Sequence, residues 1–323
     1  MAPPLEVLPV SSIVDHIGNT PLVRLVSFET GGIPLYAKCE HINPGGSVKD
    51  RLAKAIIEEA ESQGRLRPGD TIIEATAGNT GMGLALLAAA RGYRLVCVMP
   101  RKMSVDKRQA LQAMGAEVMV VPDAPLDDPE NFRQTADRLA KERGWFLADQ
   151  FRTQANVAAH REHTGPEIYR ALDGQVGAFI AGVGTGGTIS GVGQFLRAHC
   201  PDVDIVLADP LGSSLAAWVE TGDYGPGASY TVEGIGSSRA TEILDRSVIS
   251  LAYTVDDQES YATALALQRR EGLLVGGSSG TAVAAALAYI RSGRARGPVV
   301  ALLADSWDRY FSQPWMAAQP EAV

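Results

Sequence analysis

Six short runs of the chain are almost continuously apolar and recur along its whole length. They are TIIEA (71–75), RLVCVMP (94–100), EVMVVP (117–122), AFIAGVG (178–184), DIVLADP (204–210) and VVALLAD (299–305). Strands of a parallel sheet are covered by helices on both faces, so apolar and polar residues do not alternate along them. The runs therefore predict buried strands in largely parallel sheets.

Segments with helical spacing of apolar residues lie between these runs. In DRLAKAIIEEAES, Leu52, Ile56 and Ala60 recur at every fourth position and would share one face. The other predicted helices are GMGLALLAAARG, SVDKRQALQAMG, GVGQFLRAHC, DQESYATALALQRREG and GTAVAAALAYIRSG. This alternation predicts an α/β fold. The segments PDAPLDDPEN (122–131) and GDYGPGASY (222–230) have the composition of exposed loops.

Composition narrows the class of protein further. With 323 residues, 46% apolar and 20% charged, the chain is long enough for two lobes with a ligand between them. A net charge of −8 argues against a general nucleic-acid or anionic membrane surface, although it allows an anionic ligand at a local site.

The sequence also points to a cytoplasmic location. Its first residues lack the pattern of a signal peptide, and no apolar run reaches the roughly 18 residues of a membrane span. Cys39, Cys97 and Cys200 are too few and too scattered for a disulfide framework. Cys39 and His41 form a lone C-x-H pair, which does not predict a metal site.

The most informative of four glycine-rich loops is GVGTGGTISG (182–191), directly after the predicted strand AFIA. It would offer closely spaced backbone N–H groups, two hydroxyls and a helix N-terminus, which suit a phosphate dianion. It lacks the G-x-G-x-x-G spacing of dinucleotide-binding folds and the lysine of a P-loop. Alone, it predicts a phosphate site about as well as a turn that only lets helix and sheet pack closely.

Two further loops also connect an apolar run to a helix. EATAGNTGMG (74–83) has hydroxyl, amide and backbone donors that suit a carboxylate, although Asn79 or Thr80 could equally cap its own helix. The serines of VGGSSGTAV (275–283) would ordinarily be helix caps.

The fourth loop, PGGSVKDR (44–51), places Lys49 near a predicted helix start, where the helix dipole disfavours a cation. Most helical lysines simply point into solvent. A lysine that forms a Schiff base with an aldehyde is no longer an ordinary ammonium group, however. Together with a phosphate cradle and a carboxylate-binding turn, Lys49 suggests pyridoxal phosphate acting on an amino acid.

At this point the sequence resembles the fold-type II pyridoxal-phosphate enzymes of the cysteine synthase and cystathionine β-synthase family. The motifs occur in the family's order from residue 17 to about residue 281: IGNTPLVRL, NPGGSVKDR, EATAGNTGMGLA, TGPEI, GTGGTISG, VEGIG and EGLLVGGSSG. LADSWDRYFSQ extends the likeness to residue 313. The resemblance implies a tryptophan synthase β-like fold of two lobes, with twisted, mostly parallel sheets flanked by helices and the cofactor between the lobes. Residues 46–155 would form a smaller, mobile substrate-binding lobe, and residues 1–45 with 156–323 a larger lobe that binds the cofactor phosphate.

The resemblance also assigns roles to individual residues. Lys49 would hold pyridoxal phosphate as the internal aldimine and later remove the Cα proton of the substrate. Asn79 would bond the 3′-oxygen of the cofactor, and Ser278 would face its pyridine nitrogen. The cofactor phosphate would lie on Gly184, Thr185, Gly186, Gly187 and Thr188. The substrate would contact Thr76, Ala77, Gly78, Thr80, Gln150 and, in the VEGIG motif, Gly234.

The reaction that the resemblance implies is β-replacement. Because a hydroxyl such as that of Ser278 does not keep the ring nitrogen protonated, the ring is a weaker electron sink, and loss of a β-leaving group competes well with transamination. Serine or O-acetylserine would react through an aminoacrylate with sulfide or a thiol, giving cysteine or cystathionine. The family likeness further implies a homodimer, and we expect a bacterial-type enzyme without a haem-binding segment or regulatory module.

Some positions depart from the family's pattern. Ala77 stands where many cysteine synthases have serine, and SSRA (237–240) follows VEGIG where relatives have other residues. Arg239 would either meet an anionic group of a substrate or point into solvent. MPRKMS and LADSWDRYFSQPWM are more similar to the cystathionine β-synthase branch, whereas DGQVGAFIAGVGTGG is equally similar to cysteine synthases.

Two other functions stay open at this stage. A serine/threonine dehydratase or a cysteine desulfhydrase would share the fold and Lys49 and differ only in how the eliminated intermediate is completed. A non-catalytic relative that acts as a binding or regulatory partner is disfavoured by the intact Lys49, Asn79 and Ser278.

Overall fold

A computed structural model describes residues 11–76, 78–125 and 127–317. The strands are β1 Leu22–Arg24, β2 Leu35–Cys39, β3 Thr71–Ala75, β4 Arg94–Pro100, β5 Glu117–Val121, β6 Phe146–Leu147, β7 Ala178–Ala181, β8 Asp204–Pro210, β9 Leu251–Val255 and β10 Val299–Leu303. The α-helices are α1 Lys49–Ser62, α2 Asn79–Arg91, α3 Val105–Ala113, α4 Phe132–Arg143, α5 Gln154–Ala159, α6 Gly165–Ala171, α7 Gly187–His199, α8 Leu215–Thr221, α9 Asp257–Glu271 and α10 Gly277–Arg291.

All six strands predicted from apolar runs are present, and so are all six predicted helices. The main difference is the end of β7, which stops at Ala181 instead of continuing to Gly184. Beyond that point the backbone runs against residues 234–235: a Cβ on Gly182 would lie 2.6 Å from the side chain of Ile235, and one on Gly184 would lie 2.4 Å from the carbonyl of Gly234. Strands β1, β2, β6 and β9 and helices α4, α5, α6 and α8 are additional to the predicted elements.

The strands form two sheets. The larger has the order β1-β2-β10-β7-β8-β9 and is parallel except for the antiparallel edge strand β1. The smaller has the order β5-β4-β3-β6 and is parallel throughout. The predicted α/β class with mostly parallel sheets is therefore confirmed.

The cores lie on the faces of these sheets. Every residue of β3, β7 and β10 is buried, as their nearly continuous apolar runs predict, and in β3 this includes the polar Thr71 and Glu74. Cys39 is packed in the core beside α10, and Cys97 in the core between the small sheet and α1 and α2. Cys200 is half-buried, and all three cysteines are free. No helix in the described ranges is both long and apolar enough to cross a bilayer.

Both sheets reverse their strand order at one place. In the larger sheet the reversal lies between β7 and β10, and in the smaller sheet between β3 and β6. Ligands of open parallel sheets bind beyond the carboxyl ends of the strands at such switch points. The loops that leave these four strands are therefore the first place to look for a site.

Candidate active site

Asp305 lies just beyond β10 and joins three of the predicted loops. Its carboxylate accepts a hydrogen bond of 2.7 Å from Asn79 Nδ2, at the start of α2. Its backbone pairs with Ser47 in the PGGSVKDR loop, and its carbonyl accepts from the amide of Gly276, just before α10. The structure thus brings together the Lys49, Asn79 and Ser278 loops, which are far apart in sequence.

Lys49 is the first residue of α1 and is half-buried. The loop before it is fixed by the larger sheet, because the amide of Val48 donates to the carbonyl of Ala304 at 2.8 Å. Burial lowers the pKa of Lys49 below its ordinary value, and the nearby carboxylate of Asp305 opposes this effect. A lysine whose neutral amine is favoured in this way is suited to attack an aldehyde carbon.

Asn79 is held in one orientation by two charged groups. Its Oδ1 accepts from the guanidinium of Arg309, while its Nδ2 donates to Asp305. A guanidinium only donates and a carboxylate only accepts, so the amide cannot be reversed without losing both contacts. The second N–H of Asn79 makes no hydrogen bond to a described residue and could donate to an acceptor in the site.

The GVGTGGTISG loop carries a group of unused donors. The amides of Thr185, Gly186, Gly187 and Thr188 make no hydrogen bond to any described residue, and no side chain caps α7. Gly186 has a φ of +92°, in the left-handed region that favours glycine. Converging amides at a helix N-terminus, with two threonine hydroxyls beside them, are a binding site for a dianion.

The turn after β3 is built around buried hydroxyls and Gln150. Thr76 Oγ1 accepts from the amides of Gly78 and Gly81, so this hydroxyl serves the turn itself. Thr80 Oγ1 donates to Gln150 Oε1 at 2.6 Å, across the switch point between β3 and β6. The amides of Asn79 and Thr80 make no hydrogen bond within the described part of the chain, which fits a carboxylate ligand. Ala77 lies outside the described residues.

The remaining predicted residues differ in their surroundings. Ser278 is buried in the first turn of α10, and its hydroxyl makes no hydrogen bond to a described residue. Gly234 is exposed with a φ of +85°, and its neighbour Glu233 forms an ion pair with Lys107 of α3. Arg239 is exposed, and the structure shows its backbone alone in hydrogen bonds, with Ser237.

A buried ion-pair network anchors the start of α1, the helix that carries Lys49. Arg51, in the first turn of α1, donates to Glu40 at 2.7 and 2.9 Å and to Glu167 of α6 at 2.7 and 2.8 Å. Burial alone would raise the pKa values of both carboxyls, but Arg51 holds the pKa of Glu167 at about 2 and that of Glu40 below its usual range. Lys38 also contacts Glu167, at 2.5 Å. The start of α1 is thereby joined to β2 and α6.

A family model described as pyridoxal-phosphate dependent enzyme matches residues 13–305. The chain belongs to this family. The GVGTGGTISG loop, the half-buried Lys49 and the turn after β3 are therefore parts of a pyridoxal-phosphate enzyme, and the predicted cofactor is confirmed.

Several known proteins are similar to this pyridoxal-phosphate enzyme. Cystathionine beta-synthase of Mus musculus is 43% identical over 320 residues, which are 96% of this chain and 56% of the mouse protein, so the chain spans little more than half of that relative. The crystal structure of O-ureido-L-serine synthase matches with a TM-score of 0.89 and 38% identity, over 98% of each chain. A hydrogen sulfide-producing enzyme from Fusobacterium nucleatum matches with a TM-score of 0.86 and 34% identity, over 95% of this chain and 100% of the other. These neighbours confirm the fold-type II class.

The residues of the site fit pyridoxal phosphate. The free amides at 185–188 would take its phosphate, the free N–H of Asn79 its 3′-oxygen, and the buried hydroxyl of Ser278 its ring nitrogen. The cofactor supplies an electron sink for the Cα carbon of an amino acid. The chain would supply the amine of Lys49 and the two anion sites. Among the described residues, no group of three or more His, Cys, Asp or Glu side chains is arranged to hold a metal ion.

Sequence reasoning missed several residues of this site. Asp305 and Arg309 lie in LADSWDRYFSQ, a motif that supports the family likeness but predicts no role for either residue. Asn156 and His160 lie in short elements with no predicted boundary. Both lie close to the GVGTGGTISG loop (182–191), called the phosphate loop below. This proximity depends on how α5 packs on α7, for which a single sequence contains no local signal.

The close contact at Gly187 gives a test of the phosphate loop. Gly187→Ala would place a Cβ 2.1 Å from Asn156 Oδ1, and Asn156 cannot easily move because it also bonds Gln150 and Thr185. We expect this variant to bind pyridoxal phosphate about five- to 150-fold more weakly, because overpacking distorts the loop at a cost of about 1–3 kcal/mol. Titration of cofactor-free protein with pyridoxal phosphate measures this.

Gly297→Ala is the matched control, because its Cβ would meet its nearest neighbour at an ordinary 3.6 Å. Equal cofactor affinity of the two variants would contradict the assignment of the loop.

Proposed function

We propose that this enzyme catalyses β-replacement on serine or O-acetylserine by sulfide or a thiol, and so forms cysteine or cystathionine. The observation that carries the proposal is Ser278. Ser278 is a buried residue of helix α10, and its hydroxyl makes no hydrogen bond to a carboxylate or any other group among the described residues. A ring nitrogen facing a hydroxyl is not kept protonated, which favours loss of a β-leaving group over transamination.

In this proposal Lys49 transfers the proton. Burial lowers the pKa of Lys49, which favours the neutral amine, the form that can accept the Cα proton. The same ammonium group can then return a proton to Cα once the new C–S bond has formed. Asp305 interacts with the amine of Lys49 and accepts a hydrogen bond from Asn79. It would therefore hold the amine close to the side-chain amide that is proposed to bind the cofactor.

The substrate carboxylate would be held by the turn after β3. The free amides of Asn79 and Thr80 point to such an anion, and Thr76 and Gly78 complete the described part of the proposed turn. Contact of the substrate with Ala77, which lies outside the described residues, stays a prediction. Gln150 would contribute by fixing Thr80, since its Nε2 donates to the carbonyl of Ala75 and its Oε1 accepts from Thr80. Gly234 would also contact the substrate.

Similar proteins support this reaction class. One relative is a cystathionine beta-synthase and one structural neighbour is an O-ureido-L-serine synthase. A second candidate function is β-elimination, by a cysteine desulfhydrase or a serine/threonine dehydratase. The structural similarity to a hydrogen sulfide-producing enzyme is the observation that favours it.

A matrix of donors and nucleophiles separates the two functions. Serine, O-acetylserine and O-phosphoserine are each mixed with sulfide, cysteine or homocysteine, and products are identified by mass. We expect a new thioether or cysteine in at least one mixture, formed faster than pyruvate. Pyruvate and ammonia alone in every mixture would contradict β-replacement and support elimination. A colourless protein that takes up no cofactor would contradict both.

We further propose the two lobes, the oligomeric state and the cellular location of the enzyme. Residues 46–155 would form the smaller, mobile lobe that closes on the substrate, and residues 1–45 with 156–323 the larger one. The enzyme would be a cytoplasmic homodimer, and its free cysteines fit a reducing compartment. Light scattering of the purified holoenzyme tests the dimer.

A further inference from the structure

Helix α7, which begins in the phosphate loop, packs closely on a π-helical turn at His160–Thr164. The two backbones approach at Gly191, where a Cβ would lie 2.2 Å from the carbonyl of Val157 and 2.8 Å from Cβ of His160. π-helical turns are rare and often occur at functional sites. This packing places the His160 ring directly against the first turn of α7.

His160 connects two buried hydroxyls. Its Nδ1 lies 2.9 Å from Thr164 Oγ1 and its Nε2 lies 3.1 Å from Thr188 Oγ1. His160 is 1% exposed and Thr164 is fully buried. Thr188 belongs to the phosphate loop, so the imidazole is in direct contact with a group that would touch the cofactor.

The ring is neutral, so it has one donor and one acceptor. Burial lowers the pKa of His160 to about 3, and the charge of Arg51 acts in the same direction. Lys49 also disfavours the charged imidazole, while Glu40 and Glu167 favour it without offsetting the burial. One ring nitrogen therefore donates to a threonine and the other accepts from a threonine.

We propose that His160 is a positioning residue that keeps the hydroxyl proton of Thr188 directed into the phosphate loop. Nε2–H donates to Thr188 Oγ1, and Thr164 donates its proton to Nδ1. Thr188 Oγ1 then accepts a hydrogen bond from His160 and can donate its own proton to an anion bound in the loop. The opposite tautomer would take the Thr188 proton and turn oxygen lone pairs toward a dianion, which is repulsive.

The second hydroxyl of the loop is arranged in the same way. Asn156 Nδ2 donates to the carbonyl of Gln150 at 2.9 Å and to Thr185 Oγ1 at 3.0 Å. A carbonyl oxygen only accepts, so the orientation of the Asn156 amide is fixed and Thr185 also keeps its proton. The segment from Asn156 to Thr164 thus makes donors of both loop hydroxyls. This inference rests on the proposed role of residues 184–188 in holding the cofactor phosphate.

Two substitutions of His160 separate its two contacts. His160→Gln keeps an N–H near the position of Nε2, whereas His160→Asn keeps a polar group only near Nδ1. Titration of the cofactor-free variants with pyridoxal phosphate gives the affinity, and the ³¹P resonance of each holoenzyme reports on the phosphate surroundings. We expect His160→Gln to stay within about threefold of the wild type and His160→Asn to bind about ten- to a hundredfold more weakly, as loss of a hydrogen bond to a charged group predicts.

Variants of Thr188 complete the test. Thr188→Val should weaken binding like His160→Asn, Thr188→Ser should not, and combining Thr188→Val with His160→Asn should add little, because the two act through one contact. The ³¹P resonance should move in His160→Asn and Thr188→Val and stay in place in His160→Gln.

Three results would overturn the inference: equal weakening by Gln and Asn at position 160, additive losses in the double variant, or Thr188→Val binding as tightly as Thr188→Ser. The last comparison decides the matter even if His160→Asn does not fold. If no mixture of donor and nucleophile gave a β-replacement product, the proposed reaction would be refuted, but the cofactor affinities would still test the role of His160. If the affinities contradicted that role, the proposed reaction would be unaffected.

Discussion

Lys49→Ala is expected to lose the covalently bound cofactor and at least about a thousandfold of its activity, while the protein stays folded. Losing both the nucleophile that binds the cofactor and the base that removes the Cα proton explains an effect of this size. Only one side chain is removed at the start of α1, so the cores on the two sheets are unaffected. Borohydride reduction followed by peptide mass spectrometry locates the modified lysine in the wild type, and circular dichroism checks the fold of the variant.

Two other lysines make the comparison sharp. Lys141→Ala, on the exposed face of α4, is the matched control and should keep both the cofactor and the activity. Lys38 is buried like an active-site lysine, but its ammonium contacts Glu167 at 2.5 Å and the carbonyl of Thr20 at 2.7 Å. Its amine is therefore occupied by these two contacts and is not available to bind an aldehyde. A cofactor that remains covalently attached in Lys49→Ala would contradict the assignment.

Arg51→Leu is expected to lower the free energy of unfolding by about 3–5 kcal/mol at pH 7. It leaves the carboxylate of Glu40 buried and without its principal cation, and breaking a buried pair costs more than the pair itself contributes. Urea denaturation of the wild type and the variant measures the difference. Arg138→Leu is the control, because its pair with Glu142 is exposed and contributes at most about 0.5 kcal/mol.

The pH dependence of this loss has a definite sign. In the wild type the pKa values of Glu40 and Glu167 lie below their unfolded values, so their pairing stabilises the protein above about pH 4.5 and is lost as the pH falls toward 2. In Arg51→Leu the Glu40 pKa should rise, since burial is no longer offset. The deficit should then shrink between pH 7 and pH 5 as Glu40 takes up a proton.

Adding Glu40→Gln to Arg51→Leu should recover part of the lost stability at pH 7, because the unpaired charge is gone. A single variant as stable as the wild type at pH 7 would show that the network does not hold the start of α1.

Prediction from sequence succeeded where one local pattern was sufficient. The nearly continuous apolar runs of β3, β7 and β10 are wholly buried, as their pattern predicts. Strand β2 was missed because Lys38 interrupts its apolar pattern, and the carboxylate that offsets that charge, on Glu167, comes 129 residues later in the chain. No local signal links the two.

The same limit applies to the site. The lysine, the glycine-rich loops and Ser278 were found because they lie in compact motifs. Asp305 and His160 act by joining such motifs in space, and their contacts depend on which strands meet at the switch points and how α7 packs on the turn at residue 160. The assigned roles of all these residues stay predictions until the variants are measured.

Burial of the cysteines has a consequence for an enzyme proposed to handle sulfide and thiols. Burial raises the pKa of the Cys39 thiol to about 12 and that of Cys97 even further above its ordinary value, so neither forms a thiolate near neutral pH. A protonated, inaccessible sulfur does not compete with the incoming nucleophile or form mixed disulfides with the product. In these two side chains, the packing that stabilises the two cores also protects the catalyst from self-modification and from oxidation.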